Sequence, residues 1–593
     1  MTNLNQKTQK LDINGRSLIL NLTFIVLNLV GVFFVVKGFH ISSGESAGIY
    51  KIIGFSLVLI SIFVLILLKG LFLFSYFARA LVGGLFIVSG LIKANDPWGF
   101  AFKLEEYFAA DGLSYDFPFF EQFAPYSLQL SMLICVVEIV LGVAVIVGGK
   151  IKLTSWALVF MMAFFTWLTW YTTSCIIQQE LAMSAKPLVD FNRQCVADCG
   201  CFGDALKGSV GRSLTPVESF WKDIVLFYFV LIIFVNQWRI KENQVKENWI
   251  MVPSSIIVII FFSWVFGWMF PIFFAIFVIL GAFVVGNLNI GSMAKAWKMA
   301  IFVGLVSFIF TLYTSMYLPI KDYRPYAIGN NIREQMNLGV PGVSEFQWLY
   351  TNKATGQIDT FATDEWAIYS DTNKYKYSDR VEKIIVEQID APITDFLVGI
   401  DYEFLTDEQK AIPYIDSLIK ADYDSYYEDR MALKTQWGND TIAVMDYDTL
   451  YYPDSIYSVI NTFTTLMDPS KPFWLDLTNY VLDEEAIFVM TMRDIKTVGK
   501  DELADIKLVY EKSKELGIPF VVLTPATQDE IAKFKVDNGF DPLFLTIDGI
   551  EVKIIIRSNP GLLLLKKATV VNMWPWRSVP DFEDIFEEHL QTK

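Results

Sequence analysis

Five cysteines occur in 593 residues, and three of them, Cys195, Cys199 and Cys201, fall within seven consecutive positions. The block Cys199-Gly200-Cys201-Phe202-Gly203 sits in a polar stretch between two long apolar runs. Thiols at this C-x3-C-x-C spacing can exchange disulfides, share a metal ion or close structural bridges. Zinc and iron–sulfur ligation usually uses C-x2-C pairs, which are absent, so no metal is assigned. A Cys199–Cys201 bridge would close a very small ring, and strained bridges are the more easily reduced ones. Gly200 and Gly203 give the backbone the freedom such a ring needs. With only two histidines, His40 and His589, histidine metal sites and Ser-His-Asp triads are nearly excluded by count.

The elements that must hold these thiols are membrane helices. The chain is 53% hydrophobic and 16% aromatic, with 50 Phe, yet its net charge is −16. The charge is unevenly spread: residues 321–593 hold 27 Lys and Arg against 47 Asp and Glu, a net of −20, which leaves +4 for residues 1–320. An acidic soluble portion therefore follows a slightly basic membrane portion, and that acidity argues against nucleic-acid binding. Nine segments are apolar over the roughly 20 residues that a span needs: 17–36, 52–68, 72–92, 127–147, 153–173, 219–238, 250–269, 272–288 and 299–318. The seventh and eighth form one apolar run, broken by Gly267 and Pro271 into two short passes. Lys7, Lys10 and Arg16 precede the first span; Lys69, Lys150, Lys152, Arg239, Lys241, Lys246, Lys295 and Lys298 fill the even-to-odd connections, and Arg79 lies near the start of the third span on that same side. Basic loops stay cytoplasmic. This predicts an inner-membrane protein with its N-terminus inside, and with the cysteine loop and everything after Leu318 outside the cytoplasm. The first span is too long in its apolar core for a cleaved signal peptide.

An exterior address changes the chemistry of the thiols, because disulfides persist there. Cys175, Cys195, Cys199 and Cys201 share that face and allow three full pairings, among which sequence does not choose. A redox-active dithiol and a pair of structural staples both remain open. Thr215-Pro216-Val217-Glu218 reads as a capping box with Pro at the first helical position. That helix start carries Lys222, and a helix N-terminus and a cation both favour thiolate. Cys135 lies within a span and reads as a packing residue. Glu138 also lies mid-span, a costly position that marks it for proton or quinone chemistry, with Arg79 as a partner if the two face each other. Lys93, Asp96 and Pro97 fall at the exterior mouth, and the aromatic stretch from there to Tyr126 reads as an interfacial amphipathic segment.

The stretch 75–238 resembles the DoxX/MauE superfamily of four-helix membrane proteins. The matching residues are Ala78-Arg79-Ala80-Leu81-Val82-Gly83-Gly84-Leu85-Phe86, then Ser89-Gly90-Leu91-Ile92-Lys93, Glu138, and Cys199-Gly200-Cys201-Phe202-Gly203. The last block is similar to MauE, associated with methylamine utilisation and with maturation of a disulfide-rich dehydrogenase subunit. DoxX resembles a subunit of a thiosulfate:quinone oxidoreductase, and the bundle is more distantly similar to vitamin K epoxide reductase. The resemblance implies thiol–disulfide chemistry coupled to a quinone.

In the exterior portion, alternation over 345–361 predicts a β-hairpin, while 401–470 is rich in Asp and Tyr with weak periodicity and no assignable fold. No D-x-D-x-D-G signature supports a calcium site. Over 486–589 the pattern is strand, helix, strand, helix, strand, strand pair, helix, set by apolar positions such as Leu503, Ile506 and Val509. This order resembles the thioredoxin fold, which implies a cis Pro560 before the closing pair. The turn where that fold carries C-x-x-C reads Arg493-Asp494-Ile495-Lys496-Thr497-Val498, and no cysteine follows Cys201.

These readings divide the chain into two N-terminal spans (1–73), a DoxX/MauE-like four-helix core with the loop 175–218 (74–240), three further spans (241–320), an acidic exterior region (321–479) and a thioredoxin-like domain lacking C-x-x-C (480–593). The expected fold is an all-α membrane bundle plus an exterior α/β domain. The expected function is thiol–disulfide exchange through Cys195, Cys199 and Cys201, aided by Glu138 and Lys222, with a quinone as candidate electron acceptor and an exterior protein client held by the C-terminal domain. The rival reading is a non-enzymatic membrane assembly factor or scaffold. A transporter is the weakest reading, since the spans lack repeated broken helices.

Overall fold

The computed structural model describes residues 72–184, 191, 193–196, 200, 202, 205–210, 213–289, 292–386, 390–420 and 474–591. The expected spans at 17–36 and 52–68, and Cys199 and Cys201, lie outside the described residues, as does most of 401–470. The chain forms two compact units, divided after Thr314.

The first unit is helical: α1 (Phe72–Asn95), α2 (Pro97–Phe108), α3 (Ser127–Val147), α4 (Ile151–Ser184), α5 (Pro216–Asn236), α6 (Val245–Val265), α7 (Phe270–Asn287) and α8 (Lys295–Met316). Among the described residues six helices, α1, α3, α4, α6, α7 and α8, are long and apolar enough to cross a membrane. The expected span 219–238 corresponds to α5, which is not among those six but packs in the same bundle. The break expected between the seventh and eighth spans is present: α6 ends at Val265, Gly267 takes a left-handed φ of +59°, and Pro271 lies in the first turn of α7. In α5, Thr215 Oγ1 accepts from Glu218 N–H at 3.2 Å while Glu218 accepts from Thr215 N–H at 3.0 Å.

The core of this unit joins four helices. Ala78, Val82 and Phe86 of α1, Leu141 and Val145 of α3, Leu158 and Met162 of α4, and Val230, Ile232 and Ile233 of α5 form one buried cluster. Apolar burial does not drive helix association in lipid; close packing does. The α1–α3 contact is correspondingly built on glycines: a Cβ on Gly142 would stand 2.8 Å from both the Gly83 carbonyl oxygen and Ile87 Cγ1.

The second unit is sheet-rich. β1 (Val343–Asn352), β2 (Ile358–Ala362) and β3 (Tyr375–Val386) form an antiparallel sheet in the order β2-β1-β3. The hairpin expected over 345–361 is β1–β2, and β3 adds a strand that the sequence reading missed. The larger sheet takes β4 (Gly399–Asp401), β5 (Trp474–Asp476), β6 (Ile487–Thr491), β7 (Phe520–Thr524), β8 (Leu543–Thr546), β9 (Gly561–Lys566) and β10 (Thr569–Pro575) in the order β10-β9-β6-β7-β8-β4-β5. β6, β7 and β8 are mutually parallel, whereas β9 and β10 run antiparallel to their neighbours. β4 and β5 carry this sheet upstream of residue 480.

Strict alternation splits the sheet's core: Ile487, Val489, Val521 and Leu523 face one cluster, and Phe488, Met490, Phe520 and Val522 the other. Helices α9 (Lys500–Glu515) and α10 (Gln528–Asn538) follow β6 and β7, and α11 (Gly549–Ile555), unforeseen from sequence, follows β8. This is the burial on both faces that parallel strands require.

The segment 322–332 is stitched onto this sheet. Gly329 and Val570 are joined through Gly329 N–H to Val570 O at 2.8 Å, and Ile332 N–H donates to Ala568 O at 2.8 Å. Arg324, 2% exposed, pairs with Asp322 at 2.6 Å and donates to the carbonyl of Ile555 at 3.2 Å. Tyr326 donates a short hydrogen bond to Glu551, and both are buried. Burial raises the Glu551 carboxyl above its ordinary value, with the Tyr326 bond opposing and Asp395 and Asp548 adding to the rise. Folding therefore takes up a proton at Glu551. Its contribution is complete below the ordinary Glu value and is lost as pH rises through the raised one. Stability of the second unit is expected to fall with pH across that window, and Glu551→Gln to flatten the slope. Denaturant titrations of the detergent-solubilised chain, read by proteolysis within 321–593, check this; an unchanged slope in the variant contradicts it.

Candidate functional site

Charged side chains inside an apolar bundle need a partner, and four of them meet in the four-helix core. Glu138 lies eleven residues into α3, about 16 Å along the helix at 1.5 Å per residue. Lys93 stands near the end of antiparallel α1, which brings it to the same depth. Lys222 and Asp223 lie in the second turn of α5.

Lys93 Nζ donates to Glu138 Oε1 at 2.5 Å, with both side chains 3% exposed. Lys93 also donates to Ser89 at 3.1 Å and lies between the Phe100 and Phe165 rings, 5.4 and 5.3 Å from their centroids. Asp223 accepts from Thr169 of α4 at 3.1 Å and pairs with Lys222 at 2.9 Å. Lys222 in turn sits over the Phe202 ring at 4.9 Å. Among the described residues Glu138 Oε2 is buried without a hydrogen-bond partner. These groups line one cavity of about 30 Å3, to which Lys93, Glu138, Lys222, Asp223, Phe165 and Phe202 all contribute. The cavity thus brings together two amino and two carboxyl side chains, paired as Lys93 with Glu138 and Lys222 with Asp223.

The end of the bundle that holds Lys93 is roofed by α2. Asp96 caps it by accepting from Gly99 N–H at 2.9 Å, and Phe100, Leu104, Tyr107 and Phe108 pack with Leu113, Leu168 and Val196 beneath. The helix falls within the aromatic stretch between Lys93 and Tyr126. Gly200, at φ +60°, lies against it: a Cβ there would stand 3.1 Å from Lys103 Cγ.

Of the cysteines proposed from sequence, Cys175 and Cys195 form a disulfide that ties the end of α4 to the loop. Arg193 reinforces the tie by pairing with Asp116 at 2.7 Å, which also accepts from Tyr171 at 2.9 Å. Cys195 is thus bonded outside the C-x3-C-x-C cluster. Cys199 and Cys201 lie outside the described residues, but their neighbours Gly200 and Phe202 touch the roof and the cavity respectively. Cys135 is buried and unbonded.

Arg79 is not the partner of Glu138. It is buried at the other end of α3, donating to the carbonyls of Val145 and Ile146 at 2.9 Å each and to Asn243 at 2.6 Å. A cation at a helix C-terminus meets the negative end of the helix dipole. Lys93, read as a mouth residue, is the buried partner. Asp223 was missed; the signal was an acid eight residues past an N-cap, directly before the apolar run 224–235.

In the second unit the Asn559–Pro560 peptide is cis. The Asn559 side chain spans the turn after β6: its oxygen accepts from Arg493 N–H at 2.8 Å, and its amide donates to Asp494 O at 2.9 Å and Thr497 Oγ1 at 2.8 Å. No group of three or more His, Cys, Asp or Glu side chains suited to a metal occurs among the described residues.

Residues 70–174 match the family described as methylamine utilisation protein MauE. The match spans α1 to the last turns of α4 and includes Lys93 and Glu138; Lys222, Asp223 and the CGCFG block lie beyond it. With its apolar helices, this makes the membrane part that of a MauE-like multi-pass protein. No curated protein and no solved structure matches the chain.

Proposed function

We propose that this chain is a membrane thiol–disulfide exchange protein in which Cys199 and Cys201 pass a disulfide to, or take one from, an exterior protein client. One observation carries the reading: Phe202, which follows Cys201 in the chain, lines the same cavity as Lys93, Glu138, Lys222 and Asp223, a cluster able to handle protons. The Cys175–Cys195 bond supports it further by leaving Cys199 and Cys201 as the remaining exterior pair. In one exchange the client's two thiols give up two electrons and two protons and close a disulfide, while the loop disulfide opens to two thiols by way of a mixed disulfide. By the matched family's description, the client serves methylamine utilisation.

This exchange balances between client and loop without a quinone. The basic connections Lys150, Lys152, Arg239, Lys241, Lys295 and Lys298 favour a cytoplasmic N-terminus and an exterior loop. The strand order β10-β9-β6-β7, with β9 antiparallel to β6, supports a thioredoxin-like reading of the C-terminal domain. Its turn after β6 is held by Asn559 instead of bearing thiols, which suits a docking role for the client.

The test uses membranes containing the full chain and a synthetic peptide bearing two reduced cysteines. The wild-type chain is expected to oxidise the peptide. Cys199→Ser and Cys201→Ser are expected to drop that oxidation to background, with one of them trapping a covalent peptide adduct. Loop cysteines that stay fully oxidised in an alkylation gel shift, whatever dithiol is added, would instead establish the scaffold reading.

A further inference from the structure

The outer edge of β3 presents backbone groups that no described strand takes up, since β3 ends the sheet β2-β1-β3. Every side chain from Lys376 to Val381 is exposed, and so are the apolar Ile385 and Val386. A long exposed edge of this kind is a template for another strand. The pairing with β1 is regular from Asp379 to Ile384, between two register shifts. Which of these residues point outward follows from β1. Its even-numbered residues face β2: Thr363 Oγ1 donates to Phe346 O at 3.1 Å, and Asn352 N–H donates to Gln357 O at 2.8 Å. Gln347 and Leu349 therefore face β3, where they stand opposite Val381 and Asp379. Backbone groups alternate sides along a strand, so Arg380 and Glu382 turn theirs outward. Arg380 N–H donates to the neighbouring Asp379 Oδ1 at 2.8 Å, a local bond that a second strand would replace.

We propose that β3 pairs antiparallel with β3 of a second copy of this chain, about a two-fold axis at Val381, so that two three-stranded sheets become one. Residues directly opposite in an antiparallel pair are of one hydrogen-bonding class. An axis between two residues would set an outward residue against an inward one, so the axis passes through a residue. At Asp379, Arg380, Glu382 or Lys383 it would set a charge against its own copy, which destabilises the pair. At Ile384 it would run into the register shift before Val386. At Val381 it sets Arg380 opposite Glu382 and Asp379 opposite Lys383, each twice by symmetry. Arg380 and Glu382 are then the hydrogen-bonded pair, as their outward backbone groups require. Arg380 is held on its face of the sheet by the Phe346 ring, 4.3 Å from the guanidinium carbon. Val381, 45% exposed in one copy, meets its own copy as a non-hydrogen-bonded pair with Cα atoms about 4.5 Å apart. The contact uses one patch twice and closes as a dimer. This mirrored charge pattern favours a second copy over an unrelated strand, whose sequence has no reason to match it.

Disulfide trapping of the purified full-length chain in liposomes tests it, with mild oxidation and non-reducing gels. A Cα separation of about 4.5 Å lies within disulfide reach, so Val381→Cys is expected to trap a covalent dimer well above the wild-type background. Thr360→Cys is the control: it is exposed on the same face of the sheet but lies on β2, beyond β1, and should stay at background. In the Val381→Cys chain, Lys383→Asp sets two like-charge pairs in place of two opposite ones and should cut the trapped dimer about tenfold. Adding Asp379→Lys to it reverses both charges together and should restore the yield. That rescue separates pairing from any loss of folding in the single variant. Equal trapping at Val381 and Thr360, a yield indifferent to Lys383→Asp, or a reversed pair that stays monomeric overturns the proposal. So does a Val381→Cys chain that links to a different protein in native membranes but not to its own purified copies, which would assign the edge to a foreign strand.

Discussion

Replacing Lys93 with Met is expected to destabilise the membrane unit by about 3–5 kcal/mol, the usual cost of leaving one member of a buried ion pair without the other. Glu138 is 3% exposed and its second oxygen already lacks a partner among the described residues. Halfway along α3, its short side chain does not reach the interface. Its two remedies are to take up a proton or to open the bundle. The reverse change, Glu138→Leu, should cost less. Lys93 stands two residues from the end of α1, and a lysine stem there can carry its ammonium outward to the interface. Changes at Asp223 should cost less again, because Lys222 is already a quarter exposed and the pair can stay wet.

The double variant Lys93→Met/Glu138→Leu decides between these accounts. If the single cost comes from an uncompensated charge, removing both charges should return stability to about the wild-type level or above it. The double-mutant cycle should then show a coupling of 2 kcal/mol or more in order of magnitude, beyond what independent sites give. Thermal unfolding of the detergent-purified protein at one scan rate measures all four members. A Lys93→Met variant as stable as wild type would mean that the ion pair bears no weight. The double variant also parts stability from function: a bundle that unfolds normally but no longer oxidises a dithiol peptide would show that the pair serves the exchange and not only the fold.

The existence of an intramembrane acid was legible, since Glu138 interrupts an apolar run, whereas its partner was not. Arg79 and Lys93 are fourteen residues apart on α1 and so lie on nearly the same face of the helix. Only the α1–α3 register chooses between them. That register is set by Gly83 against Gly142 and Gly90 against Ile139 and Glu138, which brings Glu138 level with Lys93 and leaves Arg79 at the end of α3. Small residues that fix an antiparallel helix pair are a signal in the sequence, but weigh little until the partner helix is known. The buried strands β6 to β9 were legible because they are short apolar runs between turn residues. β4 and β5 were not, because three residues carry no periodicity and their place is decided by pairing, β4 with β8 and β5 with β4. The cysteine pairing was open on the same grounds: four thiols on one face fix no connectivity until α4 is seen to run on to Cys175 beside the loop.

That same register makes Gly142 the position where one methyl group should do most harm. A Cβ there would stand 2.8 Å from the Gly83 carbonyl oxygen, 2.8 Å from Ile87 Cγ1 and 3.1 Å from Ile87 N. Two of these atoms are backbone and cannot turn aside, so Gly142→Ala must push α1 from α3 along their whole contact. Overpacking of this kind costs about 1–3 kcal/mol. In a bundle whose helices associate through close approach, the loss falls on the contact that holds Lys93 to Glu138. Gly90→Ala acts more locally, since its Cβ would meet Ile139 Cγ1 at 2.8 Å and both the Cys135 carbonyl and Glu138 Cβ at 3.0 Å. It should displace the carboxylate with a smaller loss of stability. Gly304→Ala is the control. The nearest atom to its Cβ is Val140 Cγ2 at 3.6 Å, an ordinary contact, and replacing Gly by Ala in an open helical position should raise stability by about 0.4–1 kcal/mol. Thermal unfolding of the three variants is expected to rank Gly142→Ala below Gly90→Ala, below wild type, with Gly304→Ala at or above wild type. If Gly142→Ala and Gly304→Ala unfold alike, glycine packing does not set the α1–α3 register, and the depth match between Lys93 and Glu138 needs another cause.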